Sequence, residues 1–458
     1  MIKFDFTNML DTAVKNGIDK KDLLSSEVYS AYDLVQSNRG KGMQEWMDLP
    51  ENQDQVVQDI LDTAREVQSN FDYFVVLGIG GSALGSIAVF NALCHLYHND
   101  LPKVARGNAP KFYVLDNADP ERMRALFDCI DLKKTMFNCI TKSGATSETM
   151  SQYLIVTNLL KQCLGEDYNK HIIATTSANK GNLIKLAREH SYKTFYIPEG
   201  VGGRFSVFSP VGLLPFAVLN IDIISLLKGA SEMNKICSSR NLLTNPALMS
   251  AVIQKKAIDK GCNISVLMPY ADKLKYIADW FCQLWAESIG KAVDKSGKVV
   301  NVGQTPVKSL GVTDQHSQVQ LYAEGPYDKV VVFLECGFDT VYKIPEEKTE
   351  FDDVNFLCGQ TLNQLMDSEM RATRYALTKA NRLNYTITMP CVNAYYLGQL
   401  MQMFMLQTAY MGAIYNIDTY NQPGVEGGKN ATYALFGRSG YQELAKELSV
   451  IPDEQFII

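Results

Sequence analysis

From Phe71 to Glu199 the chain alternates between short apolar runs and stretches with helical spacing. FDYFVVLGIGGSALGSIAVFNALCHLY reads as a buried strand, a glycine-rich turn and a helix. KFYVLDNADP reads as a strand ending in a turn, and MFNCITKSGATSETMSQYLIVTNLL as strand, polar turn, helix. HIIATTS and KTFYIPE are two more strands on either side of the helical NLIKLAREH. Strands alternating with helices predict an α/β fold: a mainly parallel, doubly wound sheet covered by helices on both faces. Ligands bind such sheets at the carboxyl ends of the strands, and the two most unusual turns, after Leu77 and after Ile140, lie at such ends.

The pattern returns more weakly in NISVLMPY, KVVVFLEC and NYTITMP. A chain of 458 residues exceeds what one core ordinarily serves. Two domains are therefore expected. Residues 1–225 would hold a polar helical N-terminal segment and the first α/β domain, and 226–458 the second with a C-terminal helical segment. The boundary is placed loosely in 220–245. Ser296–Gln315, punctuated by glycine and proline, reads as a long loop, and IPEEKTEFDD as another.

Composition removes several function classes. With 44 basic and 50 acidic residues the formal charge is -6, so nothing marks a nucleic-acid surface. The start, MIKFDFTNML, has no basic segment leading into a long apolar run, so no signal peptide is expected. Ten scattered cysteines without a C-x-x-C pair fit a reducing cytoplasm better than a disulfide framework or zinc site. Leu383–Ile417 carries no charge but contains Pro390, Gln399, Gln402 and Gln407. It reads as a strand and then a helix buried by other helices or by a partner subunit, with no membrane span.

Six stretches carry polar residues that a core does not need. Gly78-Ile79-Gly80-Gly81-Ser82-Ala83 matches a G-x-G-x-x-A fingerprint, in which glycines let an anion approach a helix start. The acidic residue of a dinucleotide site is expected about 20 residues on. Asp116 lies 36 positions after Gly80, so a sugar-phosphate site, a dinucleotide site and a structural turn all stay open. Thr141-Lys142-Ser143-Gly144-Ala145-Thr146-Ser147-Glu148-Thr149 crowds hydroxyls around a glycine, as a metal-free phosphate site or a hydroxyl-rich helix cap would. Arg204 follows Gly202-Gly203 and suits an oxyanion or carboxylate, or plain solvent. His316, one of five histidines, follows the long loop and reads as structural or catalytic; His95 and His98 read as a solvated helix face. Lys429, after Gly427-Gly428, opens a last helix at the end where a cation is unfavourable, which an anionic ligand would explain.

The sixth stretch, DWFCQLWAESIGK, reads as a helix through Lys291. Leu274, Ile277, Phe281, Leu284, Trp285 and Ser288 form its buried face, and Trp280, Gln283, Glu287 and Lys291 a stripe beside it. A carboxylate at the edge of a core is a usable general base. It is equally half of an i,i+4 ion pair between Glu287 and Lys291.

Together these stretches resemble the phosphoglucose isomerase family, in the shorter form found in many bacteria. GGRFSVFSPVG and GAIYNIDTYNQPGVEGGK look like the family's two signatures, and LGIGGSALGS, ITKSGATSETM, QLWAESIGK and DQHSQVQLY match other blocks in order from about residue 70 to 435. The resemblance implies two sugar-isomerase (SIS) α/β domains, no cofactor or metal, a sugar-phosphate substrate and an obligate homodimer. It implies interconversion of glucose 6-phosphate and fructose 6-phosphate through an enediol, in glycolysis and gluconeogenesis. It implies Glu287 as the base between C1 and C2, His316 from the neighbouring subunit for ring opening, Lys429 near the ring oxygen or terminal hydroxyl, and Arg204 on the enediolate. Gly81, Ser82, Thr141, Lys142, Ser143, Thr146 and Thr149 would surround the phosphate, with Gln283 beside the substrate.

Overall fold

The computed structural model describes residues 1–450 and 456–458. A short N-terminal strand, β1 (Lys3–Asp5), leaves at once for the far side of the molecule. The helices Ser26–Ser37 and Asp54–Asn70 follow, as expected for the polar N-terminal segment. Then come β2 (Tyr73–Leu77), β3 (Lys111–Leu115), β4 (Thr135–Ile140), β5 (Ile172–Thr176) and β6 (Lys193–Tyr196). They form one five-stranded sheet in the order β3-β2-β4-β5-β6, parallel throughout. The chain steps from β2 to one side and returns on the other as β4. The two turns singled out in the sequence therefore flank the point where strand order reverses, where α/β sheets take their ligands.

The second sheet uses β7 (Ile264–Pro269), whereas β8 (Lys291–Val293) and β9 (Val299–Val302) form a small antiparallel ribbon. Then β10 (Thr305–Lys308), β11 (Lys329–Cys336) and β12 (Asn384–Met389) complete the order β1-β12-β11-β7-β10. All pairs are parallel except β1 on β12. Two expectations change here. The long loop expected over 296–315 contains β9 and β10 instead. Both are four-residue strands, and Pro306 is tolerated in β10 because an edge strand leaves one side of its backbone unpaired. Strands this short and punctuated carry almost no periodic signal. The N-terminal segment is also not wholly helical, since β1 pairs with a strand nearly four hundred residues away.

Both faces of each sheet are buried. Phe74 and Val76 point into one continuous core that also holds Leu267, Val330 and Val332 of the second sheet. Val75 and Leu77 point into a separate outer core, as Val331 and Phe333 do on the second sheet. Strands covered twice read as continuous apolar runs, and all six residues of β4 are buried. The division expected at residues 225 and 226 falls inside the helix Ile223–Cys237.

That helix packs against Ala394–Ile414, the uncharged segment, which is enclosed by helices of the same chain. A Cβ on Gly229 would overlap the Tyr395 carbonyl and one on Gly398 the Leu226 carbonyl, so the two backbones touch where side chains would separate them. Its amides are satisfied only in part: Gln402 Nε2 donates to Asn234 Oδ1 at 2.6 Å, and Asn234 Nδ2 to the Met47 carbonyl at 2.6 Å, whereas Gln402 Oε1, Gln399 Nε2 and both polar atoms of the Gln407 side chain have no hydrogen-bond partner among the described residues. No helix among the described residues is long and apolar enough to cross a membrane.

Candidate active site

The glycine turn after β2 (Gly80–Ser82) and the turn Gly203–Phe205 meet backbone to backbone. A Cβ on Gly81 would overlap the backbone of Gly203, and one on Gly80 would lie 2.9 Å from Gln283 Nε2. Gly80 also has φ +57°, a conformation that favours glycine. The glycines thus let three elements converge: the first sheet, the arginine turn and the helix Lys275–Ile289. Asp116 is engaged elsewhere, paired with Arg122 at 2.7 Å.

Leu274, which precedes the helix, and Ile277, Phe281, Leu284, Trp285 and Ser288 within it are buried, as the spacing predicts, but Trp280, expected in the stripe beside them, is buried as well. Gln283 and Glu287 emerge together, and Gln283 Nε2 donates to Glu287 Oε2 at 3.2 Å. The Glu287 side chain is 25% exposed, and Arg204 Nη1 lies 3.5 Å from its Oε2. The ion pair with Lys291 does not form. The helix ends at Ile289, so Lys291 begins β8 instead of extending the stripe. Its Nζ turns back to donate to the carbonyls of Glu287 and Ser288, at 2.8 Å each, neutralising the negative helix end.

Arg204 is the best-held side chain here. It is 4% exposed. Nε donates to Ser288 Oγ at 2.7 Å, Nη1 to Gln422 Oε1 at 3.1 Å, and Nη2 to the carbonyls of Thr419 and Asn421 at 2.6 and 3.2 Å. Aromatic rings back the turn: Trp46 stacks on Phe205 at 4.9 Å, and Tyr420 meets Phe205 edge-on at 5.3 Å between centroids. Burial lowers the pKa of the guanidinium, opposed chiefly by Glu287, yet an arginine stays charged in proteins. The surface alternative for Arg204 is therefore excluded.

The hydroxyl-rich turn after β4 is a second cluster. Thr141 Oγ1 and Thr146 Oγ1 share a hydrogen bond of 3.0 Å, and Gly144 N–H donates to Thr141 Oγ1 at 3.2 Å. Ala145 N–H donates to Ser143 Oγ at 3.2 Å. Thr149 Oγ1 is buried and has no partner among the described residues. Lys142 does not face this turn: its Nζ donates to the carbonyls of Glu199 and Val201 at 2.6 and 3.0 Å, and burial lowers its pKa. Ser82 sits in the neighbouring glycine turn, half-buried and capping no helix.

Lys429 joins this second cluster. It lies in the first turn of Glu426–Leu435, which is followed by the further helix Gln442–Leu448, so the helix that it opens is not the last. Its ammonium pairs with Glu426 at 2.8 Å, which offsets the unfavourable helix end. A cavity of about 400 Å³ lies between this helix and the Ser/Thr turn, lined by Ser143, Thr146, Glu426 and Lys429 among others. His316 stands apart: it is exposed in the short turn Thr313–His316 and makes no hydrogen bond among the described residues. One chain thus gathers the predicted site residues into two clusters, apart from Lys142, whose ammonium is turned to the Glu199 and Val201 carbonyls, and His316.

Sequence reasoning does not find the groups that hold the arginine. It counts Ser288 only as part of the apolar face, although a hydroxyl in a buried stripe is itself a signal. Gln422 lies within the stretch that runs from Asp418 to Lys429, and a polar side chain between proline, glycine and tyrosine is the available clue.

The model of the family described as phosphoglucose isomerase matches residues 62–439. The chain is 49% identical to the glucose-6-phosphate isomerase of Carboxydothermus hydrogenoformans, covering 100% of this chain and 99% of that one. It is 40% identical to the enzyme of the same name from Rubrobacter xylanophilus, covering 96% and 99%. Among solved structures, a hypothetical protein of Thermus thermophilus superposes with a TM-score of 0.84 at 35% identity, over 95% of this chain and 100% of that one. A glucose-6-phosphate isomerase of Chlamydia trachomatis shares the fold, with a TM-score of 0.77 at 19% identity over 94% and 90%.

Proposed function

The chain belongs to the phosphoglucose isomerase family, and from that premise we propose that it interconverts glucose 6-phosphate and fructose 6-phosphate by metal-free proton transfer. The observation that carries this reading is Glu287: a partly exposed carboxylate held by Gln283 and set beside the fully buried cation Arg204. Aldose–ketose isomerisation needs that pairing. Glu287 takes the proton from C2 of the open-chain aldose while the C1 carbonyl becomes a hydroxyl, leaving a cis-enediol(ate). Returning the proton to C1, with loss of the C2 hydroxyl proton, gives the ketose. Arg204, already fixed by four hydrogen bonds, stabilises the oxyanion without reorganising. The buried Gln283 Oε1 has no partner among the described residues and is available to a sugar hydroxyl.

The phosphate is assigned to the turn after β4, at Ser143, Thr146 and Thr149, with Gly81, Ser82 and Thr141 completing its surroundings; the Lys142 ammonium, held by the Glu199 and Val201 carbonyls, is left out of the assignment. Held there, it fixes the sugar for reaction at the other end. Lys429, across the cavity from Ser143 and Thr146, is placed near the ring oxygen or terminal hydroxyl. His316 is assigned to ring opening in the active site of a second copy. Its exposure and lack of a partner support this, as does the segment that follows β11, where Val341, Tyr342, Phe351 and Phe356 are all exposed. The setting is the reducing cytoplasm, in glycolysis and gluconeogenesis.

The test is formation of glucose 6-phosphate from fructose 6-phosphate, followed through a coupled dehydrogenase in the presence of EDTA. Turnover is expected to survive the chelator. Binding of sugar phosphates without interconversion would leave only a sensing module and overturn the reading.

The Thr149 hydroxyl gives a check of the phosphate assignment. A buried hydroxyl without a partner destabilises the free protein. Thr149→Val is therefore expected to leave the denaturation midpoint unchanged or raised while increasing KM for fructose 6-phosphate about tenfold, the value of one lost hydrogen bond to a charged group. Steady-state kinetics and urea unfolding on the same preparation read both effects.

A further inference from the structure

We propose that Lys291 is a positioning residue of this reaction: its ammonium closes the helix that carries Gln283 and Glu287 and places a second buried cation behind Arg204. The inference rests on the isomerase reading above. Its geometry is specific. Nζ reaches the carbonyls of Glu287 and Ser288, the residues that present the base and the Arg204 acceptor, at 2.8 Å each. The residue is 7% exposed although it lies beyond the helix end, just after Gly290. One side chain therefore sets the last turn of the helix from which both Glu287 and Ser288 project.

The charges around it are few. Arg204 comes from the Gly203–Phe205 turn, Asp418 from the segment after the Ala394–Ile414 helix, and Glu287 from its own helix. The Tyr420 hydroxyl, whose pKa burial raises, lies among the same charges. Burial, then Arg204, lowers the Lys291 pKa to about 8 against the opposing pull of Asp418 and Glu287. Below that value Lys291 is a cation that favours the ionised base and an enediolate oxyanion. Above it the hydrogen bonds persist but the charge is gone. Activity should then fall as pH rises through about 8, to a lower plateau instead of zero. Stability should move the other way. The folded chain binds less proton than the unfolded chain between about 8 and the ordinary 10.5, so the protein gains stability with pH across that window.

The experiment is the pH dependence of kcat and KM for the full chain and for Lys291→Arg and Lys291→Met, with urea unfolding at the same pH values. In the wild type kcat should drop about tenfold with a midpoint near 8, the effect of losing one nearby charge in a partly buried site, while KM stays within about twofold. Lys291→Arg keeps its charge and should lose the step while retaining high kcat. Lys291→Met, which loses the two hydrogen bonds as well as the charge, should run at or below the lower plateau at every pH. An alkaline step that persists at the same midpoint in Lys291→Arg, or a wild type without one, overturns the proposal. If Lys291→Met does not fold, the arginine variant alone decides. A wild type inactive at every pH would instead overturn the isomerase reading, and this inference with it.

Discussion

Replacing Glu287 by Gln is expected to lower kcat for fructose 6-phosphate by about 10⁴-fold, the upper end of what a positioned general base contributes. The substitution is nearly isosteric, and its amide can still meet Gln283 Nε2, now 3.2 Å from the carboxylate. The helix Lys275–Ile289 keeps its buried face, and the Arg204 guanidinium keeps the four hydrogen bonds that do not involve Glu287. Folding and sugar-phosphate binding should therefore persist. Two measurements together check this. The coupled assay reads turnover, and exchange of the C1 and C2 hydrogens with solvent deuterium reads proton abstraction directly. Loss of both with retained binding is the expected result. Turnover within about tenfold of the wild type would remove Glu287 from the role of base.

Arg204 should show the second large effect, and it should strike stability as well. Arg204→Ala removes the partner of Ser288 Oγ and of the Thr419 carbonyl, both buried, and of Gln422 and the Asn421 carbonyl at the edge of the site. Removing one member of a buried charged network costs about 3–5 kcal/mol, which should appear as a marked fall in the urea midpoint. Arg204→Lys keeps the charge but cannot span the same acceptors, because an ammonium lacks the planar fork. It should fold closer to normally while kcat falls about 10²- to 10³-fold, the range seen when one oxyanion donor is displaced. The contrast between the variants separates holding the loops together from stabilising the enediolate. Equal loss of stability in both, with kcat unchanged in Arg204→Lys, would assign Arg204 to structure alone.

Much of the site was visible in the sequence, and the reason is local. The turn after β2 needs glycine where a Cβ would meet Gln283, and the turn after β4 needs a glycine at φ +60° among hydroxyls. Such constraints act within a few residues and leave their mark there. The stripe of Gln283 and Glu287 likewise follows from helical spacing alone. Lys291 shows where spacing misleads. A single glycine ended the helix two residues early and turned an expected ion pair into a cap on two carbonyls.

By itself, then, the sequence determined the alternation of buried strands and helices, the placement of two polar, glycine-bearing turns at strand ends, and the membership of Glu287 and Gln283 in one half-buried stripe. These are properties of period and of backbone conformation, settled over roughly five to twenty residues. Tertiary structure alone decided the rest. It put β1 beside β12, recruited β10 as an edge strand, and set Arg204 against Ser288 and the carbonyls of Thr419 and Asn421. Ser288, Thr419 and Asn421 lie 84, 215 and 217 residues from Arg204, β1 is further still from β12, and β10 carries no periodic pattern. Their pairing is chosen by which buried polar groups remain to be satisfied once the core has closed.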